Sequence, residues 1–224
     1  MNLSKFAGTN SGMIFCAEIG SCHKGIPALA FEMIRQAKMA GADIAKFQLG
    51  HSQDDPIRGM PGACVAQLKE WCDRFDIEFL ASVFSYEAIE LAESVGMKRY
   101  KIAYSTGEER PDIVRAVAEL GKETFISHGG YSYPNFRNLF VVPKYPTYPQ
   151  DFCMPDKFDV WYGYSSHMHG IADKLVAVAR GARFVEAHVT LDKTEESIRD
   201  NHFALSFDEF REMARIGREM ERLA

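Results

Sequence analysis

The sequence predicts an α/β protein of the (β/α)8 TIM-type barrel class, and three observations carry that reading. Short apolar runs alternate with longer stretches of helical spacing, and the alternation persists to the end of the chain. Eight such runs can be counted, the number a closed parallel barrel needs. No Gly-rich dinucleotide fingerprint follows the first run, which argues against an open doubly wound sheet.

The expected strands are Met13 to Glu18, Ile44 to Gln48, Glu78 to Ser82, Tyr100 to Ala103, Thr124 to Ser127, Leu139 to Val142, Val160 to Ser165 and Phe184 to His188. Helical spacing marks Pro27 to Ala40, Cys64 to Phe75, Tyr86 to Ser94, Arg110 to Leu120, Ile171 to Arg180 and Phe207 to Arg222. Between the fifth and sixth strands stands only Gly129 to Asn138, too short and too rich in turn residues for a full crossover helix. The barrel should be irregular there, with one shortened unit, and residues 1–224 should form a single barrel domain.

Composition narrows the function. With 224 residues, 46% of them hydrophobic, the chain can bury a sizeable core. The net charge of -5, from 26 basic and 31 acidic residues without a basic run, gives no support to a nucleic-acid or membrane partner. Any anionic ligand must be held by a few placed cations. Five cysteines without CxxC spacing fit a reducing, cytoplasmic setting better than a disulfide framework. No signal peptide, transmembrane span or low-complexity tract is expected.

The most informative residues are His167 and His188. Each closes a short apolar run, and the segment between them reads as a helix ending at Gly181, so the whole is strand, helix, strand. Parallel neighbouring strands lie about 4.8 Å apart and present their ends on one face, so two imidazoles can share one metal ion.

The other strand ends are rich in polar groups: Glu18, Ser21 and His23; Lys46 and Gln48; Ser82 and Ser85; Lys101, Ser105, Thr106 and Glu108; Ser127 and His128; Lys144 and Tyr145; Ser165; and Glu186. Lysine supplies point charge to phosphate or carboxylate oxygens, and hydroxyls donate to the remaining lone pairs. Imidazole suits manganese, iron, cobalt or zinc, and an ion with few protein ligands keeps open positions and acts as a Lewis acid. A phosphate-bearing substrate beside a divalent metal accounts for all of these types.

Each element also has a plain structural reading. His23 and His128, taken singly, read better as hydrogen-bonded structural residues. Lys46 and Lys101 lie inside apolar runs, where a lysine without an anion is costly, and Glu18 makes the same argument with opposite sign.

The segments Ala17 to Gly25, Lys46-Phe47-Gln48, Tyr100 to Ala103, Tyr145-Pro146-Thr147, Gly163 to His167 and Glu186 to Thr194 together resemble the motif series of the sialic acid synthase family, in the same order. The resemblance implies a metal-dependent barrel that condenses phosphoenolpyruvate with an N-acetylmannosamine-like aldose. Its products are a 3-deoxy-2-ulosonic acid and phosphate. It makes His167 and His188 the ligands of a divalent metal, manganese above magnesium or cobalt. Lys46, Ser82, Lys101, Ser127 and Ser165 would hold phosphoenolpyruvate, with Ser105 or Thr106 adding a hydroxyl. Gln48, Glu108, Tyr145 and Asp200 would face the sugar beside Glu18, the expected acid/base. Glu186 would orient water near the metal.

The sequence departs from the family pattern chiefly at the sugar end. Cys22, Pro143, Ser166 and His128 stand where family members carry other residues, and the antifreeze-like domain that follows the barrel in full-length members is not expected here. A homodimer is an expectation of the resemblance alone. Two other readings remain open: a metal-dependent aldolase or hydrolase without a phosphate cradle, and a non-catalytic descendant that binds a sugar or a protein.

Overall fold

The computed structural model describes residues 12–50, 62–128, 135–151 and 153–223. Strands β1 (Ile14–Glu18), β2 (Ile44–Leu49), β3 (Glu78–Val83), β4 (Tyr100–Ile102), β5 (Thr124–His128), β6 (Arg137–Val141), β7 (Gly163–Ser166) and β8 (Phe184–Thr190) lie side by side in chain order. Every neighbouring pair is parallel, and β8 pairs with β1 from Ile14↔Phe184 to Glu18↔His188, which closes the barrel. A two-residue strand, β9 (Leu205–Ser206), extends β8 at Val189 and Thr190.

Helices α1 (Pro27–Met39), α2 (Val65–Arg74), α3 (Tyr86–Ser94), α4 (Tyr104–Glu109), α5 (Pro111–Glu119), α6 (Ala172–Ala179) and α7 (Phe207–Leu223) cover the outside. Each buries one stripe against the strands. In α1 the stripe is Ala30, Met33, Ile34 and Ala37, spaced as one face of a 3.6-residue helix requires. In α7 it is Phe207, Phe210, Met213, Ala214 and Gly217. Gly217 is needed for close approach, because a Cβ there would lie 2.4 Å from Phe15 Cζ on β1.

Among the differences from the sequence expectation, two stand out. The chain turns helical at Tyr104, directly after β4, so Ser105, Thr106 and Glu108 sit on α4 and not at the end of a strand. The seventh strand starts at Gly163 and not at Val160, whose side chain is exposed. The shortened unit expected at 129–138 falls largely on 129–134, outside the described residues. Its flanks, β5 and β6, pair directly and in parallel.

The barrel interior is stacked in three levels. At the N-terminal end Arg99 joins Glu78 and Glu123, and Arg137 joins Glu123, at 2.9–3.1 Å. Above them an apolar level is built from Cys16, Ile44, Leu80, Phe125, Leu139 and Phe184, with the Phe125 and Phe184 rings 4.4 Å apart. Gly163 completes it, since a Cβ there would stand 2.2 Å from the Phe184 carbonyl oxygen. The third level, at the C-terminal strand ends, is polar.

Candidate active site

Period-two alternation sends every second strand residue inward, so the residues two positions beyond the apolar level form the next one. Glu18, Lys46, Ser82, Lys101, Ser127, Ser165 and Glu186 meet there, all nearly fully buried. Gln48, His167 and His188 stand above them at the mouth, and Ser105, Tyr145 and Asp200 also line the cavity, which encloses about 180 Å3. That is room for a small ligand.

The contacts are ordered. Lys46 Nζ donates to Ser82 Oγ at 3.0 Å and pairs closely with Glu18. Glu186 Oε1 is 3.6 Å from the same ammonium. Lys101 Nζ donates to Ser127 Oγ at 2.7 Å, from the adjacent strand. Ser165 Oγ donates to Glu186 Oε1 at 2.9 Å, and Gln48 Nε2 donates to Glu18 Oε1 at 3.2 Å.

Burial and charge set the protonation states. Burial pushes Glu18 up to about 7, although Lys46 pulls the other way. For Glu186 burial also pushes up, but Lys101 and Lys46 together overcome it and hold the carboxyl at about 2. Burial draws the Lys101 ammonium down to about 8 against the pull of Glu186. Lys46 is drawn down by burial and lifted further by Glu18 and Glu186, so it stays protonated above the ordinary lysine range. With Glu18 protonated, two ammoniums face one carboxylate. The chamber then has surplus positive charge, which suits an anion.

The histidines present their rings at the mouth, 5.7 Å apart between centroids. His167 Nδ1 lies 3.1 Å from the Val142 carbonyl; assigned as the donor in that bond, it leaves Nε2 with a lone pair. Burial and then His188 hold His167 down to about 3, so the ring is a neutral ligand at pH 7. Phe203 lies edge-on to both rings, and Asp200 Oδ2 is 4.0 Å from His188 Nδ1. Among the described residues no group of three or more His, Cys, Asp or Glu forms a cage. The two imidazoles, as nitrogen donors, are chemically suited to a divalent ion that keeps positions for water or substrate. Glu186 Oε2, buried and without a hydrogen-bond partner in the structure, is an acceptor suited to such a water.

The NeuB family matches residues 58–142 and 135–224, well over half of the sequence. The chain belongs to the NeuB family. It is 28% identical to a pseudaminic acid synthase of Campylobacter jejuni, across 99% of this chain and 77% of that protein. It is also 28% identical to the human N-acetylneuraminate-9-phosphate synthase, across 97% and 73%. Among solved structures, the N-acetylneuraminic acid synthetase of Leptospira borgpetersenii superposes with a TM-score of 0.85 at 24% identity, covering 95% of this chain and 85% of that one. The spore coat polysaccharide biosynthesis protein of Bacillus subtilis gives 0.81 at 26%, covering 96% and 70%. With named synthases among its sequence relatives, this NeuB chain is an enzyme. None of its described helices is long and apolar enough to cross a membrane.

Two site residues named from the NeuB-like motifs lie elsewhere. Thr106 is buried but does not line the cavity, and Glu108 is exposed on α4. The cause is the early start of α4, which replaces the alternation of a strand with a helical turn and leaves Ser105 facing the site. Other strand-end groups have structural duties. Ser85 Oγ caps α3 by accepting from the Ala88 N–H, Lys144 pairs with Asp151, and His128 Nε2 contacts Asn138 Oδ1 at 3.0 Å outside the cavity. His23 Nδ1 accepts from the Gly25 N–H and also lies outside it. Ser197, Ile198 and Phe203 were not singled out in the sequence. They belong to an irregular segment after β8, where no periodicity marks an inward face.

Proposed function

We propose that the chain condenses phosphoenolpyruvate with an N-acetylmannosamine-like aldose, giving a sialic-acid-like 3-deoxy-2-ulosonic acid and phosphate with the help of a divalent metal, manganese first. The observation that carries this reading is the pairing of Lys46 with Ser82 and Lys101 with Ser127 beside two imidazoles in one chamber. A metal site alone needs no such cradle. The names of the relatives support the same class of product.

Lys46, Lys101 and their serines would bind the phosphate and carboxylate of the enol phosphate and orient its methylene carbon. A metal held by His167 and His188 would supply Lewis acidity toward the aldehyde oxygen. The new bond joins the methylene carbon to the aldehyde carbon. Water then adds at the enol carbon, and cleavage of the carbon–oxygen bond releases phosphate. Glu18, placed between Gln48 and Lys46 and held up to about 7, would move the proton this sequence requires. Glu186 would orient the water.

Incubation with phosphoenolpyruvate, manganese and a panel of aldoses should release phosphate in proportion to a 3-deoxy-2-ulosonic acid. Phosphate release without that acid refutes the reading. His188→Ala is expected to lose manganese binding and turnover together.

A further inference from the structure

On the outer side of β7, away from the chamber, a second set of charged groups is buried. Asp173 and Lys174 stand in the first turn of α6, where charged residues ordinarily face water, yet they are 7% and 1% exposed. Lys174 Nζ and Asp173 Oδ1 form an ion pair at 3.0 Å. Each partner also grips the short segment that carries His167. Ser166 Oγ donates to Asp173 Oδ2 at 2.5 Å, and Lys174 Nζ donates to the Met168 carbonyl at 2.8 Å. The Met168 N–H returns to Ser166 Oγ at 3.2 Å, so the circuit closes around His167. On its other side His167 is held through its ring by the Val142 carbonyl and through its own carbonyl by the Thr147 N–H at 2.9 Å.

As a source of stability this pair is a poor choice. Removing two charges from water offsets most of their attraction, and apolar residues of the same volume often do as well or better. What apolar residues cannot supply is a directed bond to each residue flanking His167. On the reading of His167 and His188 as metal ligands, we propose that Asp173 and Lys174 are positioning residues, fixing the Ser166–Met168 segment so that the imidazole is presented to a divalent cation. Outer partners of this kind act by limiting how far a ligand can drift from its coordinating orientation.

The test is manganese affinity, measured by electron paramagnetic resonance of free Mn2+ titrated against the metal-free protein. Removing both charges at once, in Asp173→Asn with Lys174→Met, avoids leaving one charge buried alone. The dissociation constant should rise about 10- to 100-fold, with the thermal unfolding midpoint of the metal-free protein within a few degrees of the parent. Ser166→Ala cuts only the hydroxyl link and should give a smaller rise. An unchanged dissociation constant in the double variant overturns the proposal, as does a fall in stability without a change in affinity. If the double variant does not fold, Ser166→Ala decides: weakened binding supports the proposal and unchanged binding overturns it. His167→Ala separates the two levels of the argument. If that variant keeps full affinity, the metal reading itself falls; if it loses affinity while the positioning variants keep theirs, only the positioning role does.

Discussion

The two ends of this barrel hold the same charges and use them differently. At the N-terminal end, Glu78, Glu123, Arg99 and Arg137 are linked by guanidinium forks, and Arg99 grips Glu78 through two nitrogens at 2.9 and 3.0 Å. At the C-terminal end, Glu18 and Glu186 face Lys46 and Lys101, whose ammoniums also reach serine hydroxyls. Arginine's planar fork is matched by a carboxylate and leaves little for a third party. Lysine is a point charge with three donors, which can turn to a ligand's oxygen. At one end the charges are committed to each other; at the other the ammoniums keep donors that can turn to a ligand.

The sharpest way to break this contrast is to delete one cation from each end. Lys101→Met should lower turnover by about 1,000-fold or more, as loss of a placed charge in a dry site does, while the chain still folds. Arg99→Met should do the reverse, leaving KM near the parent value and lowering stability by about 3 kcal/mol in urea titration. Equal effects of the two on activity would sink the contrast.

The apolar level between the ends gives the next largest effect. Gly163→Ala drives a Cβ into the Phe184 carbonyl, and overpacking of this kind costs about 2–3 kcal/mol. A parent-like unfolding midpoint would show that this level yields more easily than the packing implies.

The smallest effect is a pH dependence confined to the open end. Glu18 is held at about 7 against an ordinary 4.5, so the folded chain keeps its proton longer than the unfolded one. The stability associated with that proton is fully present below about pH 4.5 and is lost as pH rises through 7. Urea midpoints compared at pH 5 and pH 8 should show a fall of about 2 kcal/mol or less that Glu18→Gln removes. A slope that survives in the variant assigns it to another group.

Much of this was legible in the sequence, because a parallel barrel is written as buried apolar runs and the polar interruptions in them are informative. Lys46 and Lys101 stood out because each broke such a run, and the structure buries both beside carboxylates and hydroxyls. His167 and His188 were tied together by one strand–helix–strand unit, and their ring centroids do lie 5.7 Å apart. Thr106 and Glu108 were misplaced because Tyr104 to Glu109 carries no pattern that separates a strand's end from a short helix. The burial of Asp173 and Lys174 was hidden for a related reason. Charges at the start of a helix read as solvated, and only the packing of α6 over β7 shows otherwise.

The apolar level of Cys16, Ile44, Leu80, Phe125, Leu139 and Phe184 also insulates. None of these six side chains carries a hydroxyl, amide or ionised group, so the level parts the charged N-terminal end from the polar chamber. At the mouth of the chamber stand His167, His188 and the segment carrying Asp200. The barrel interior holds two charged compartments with an apolar partition between them.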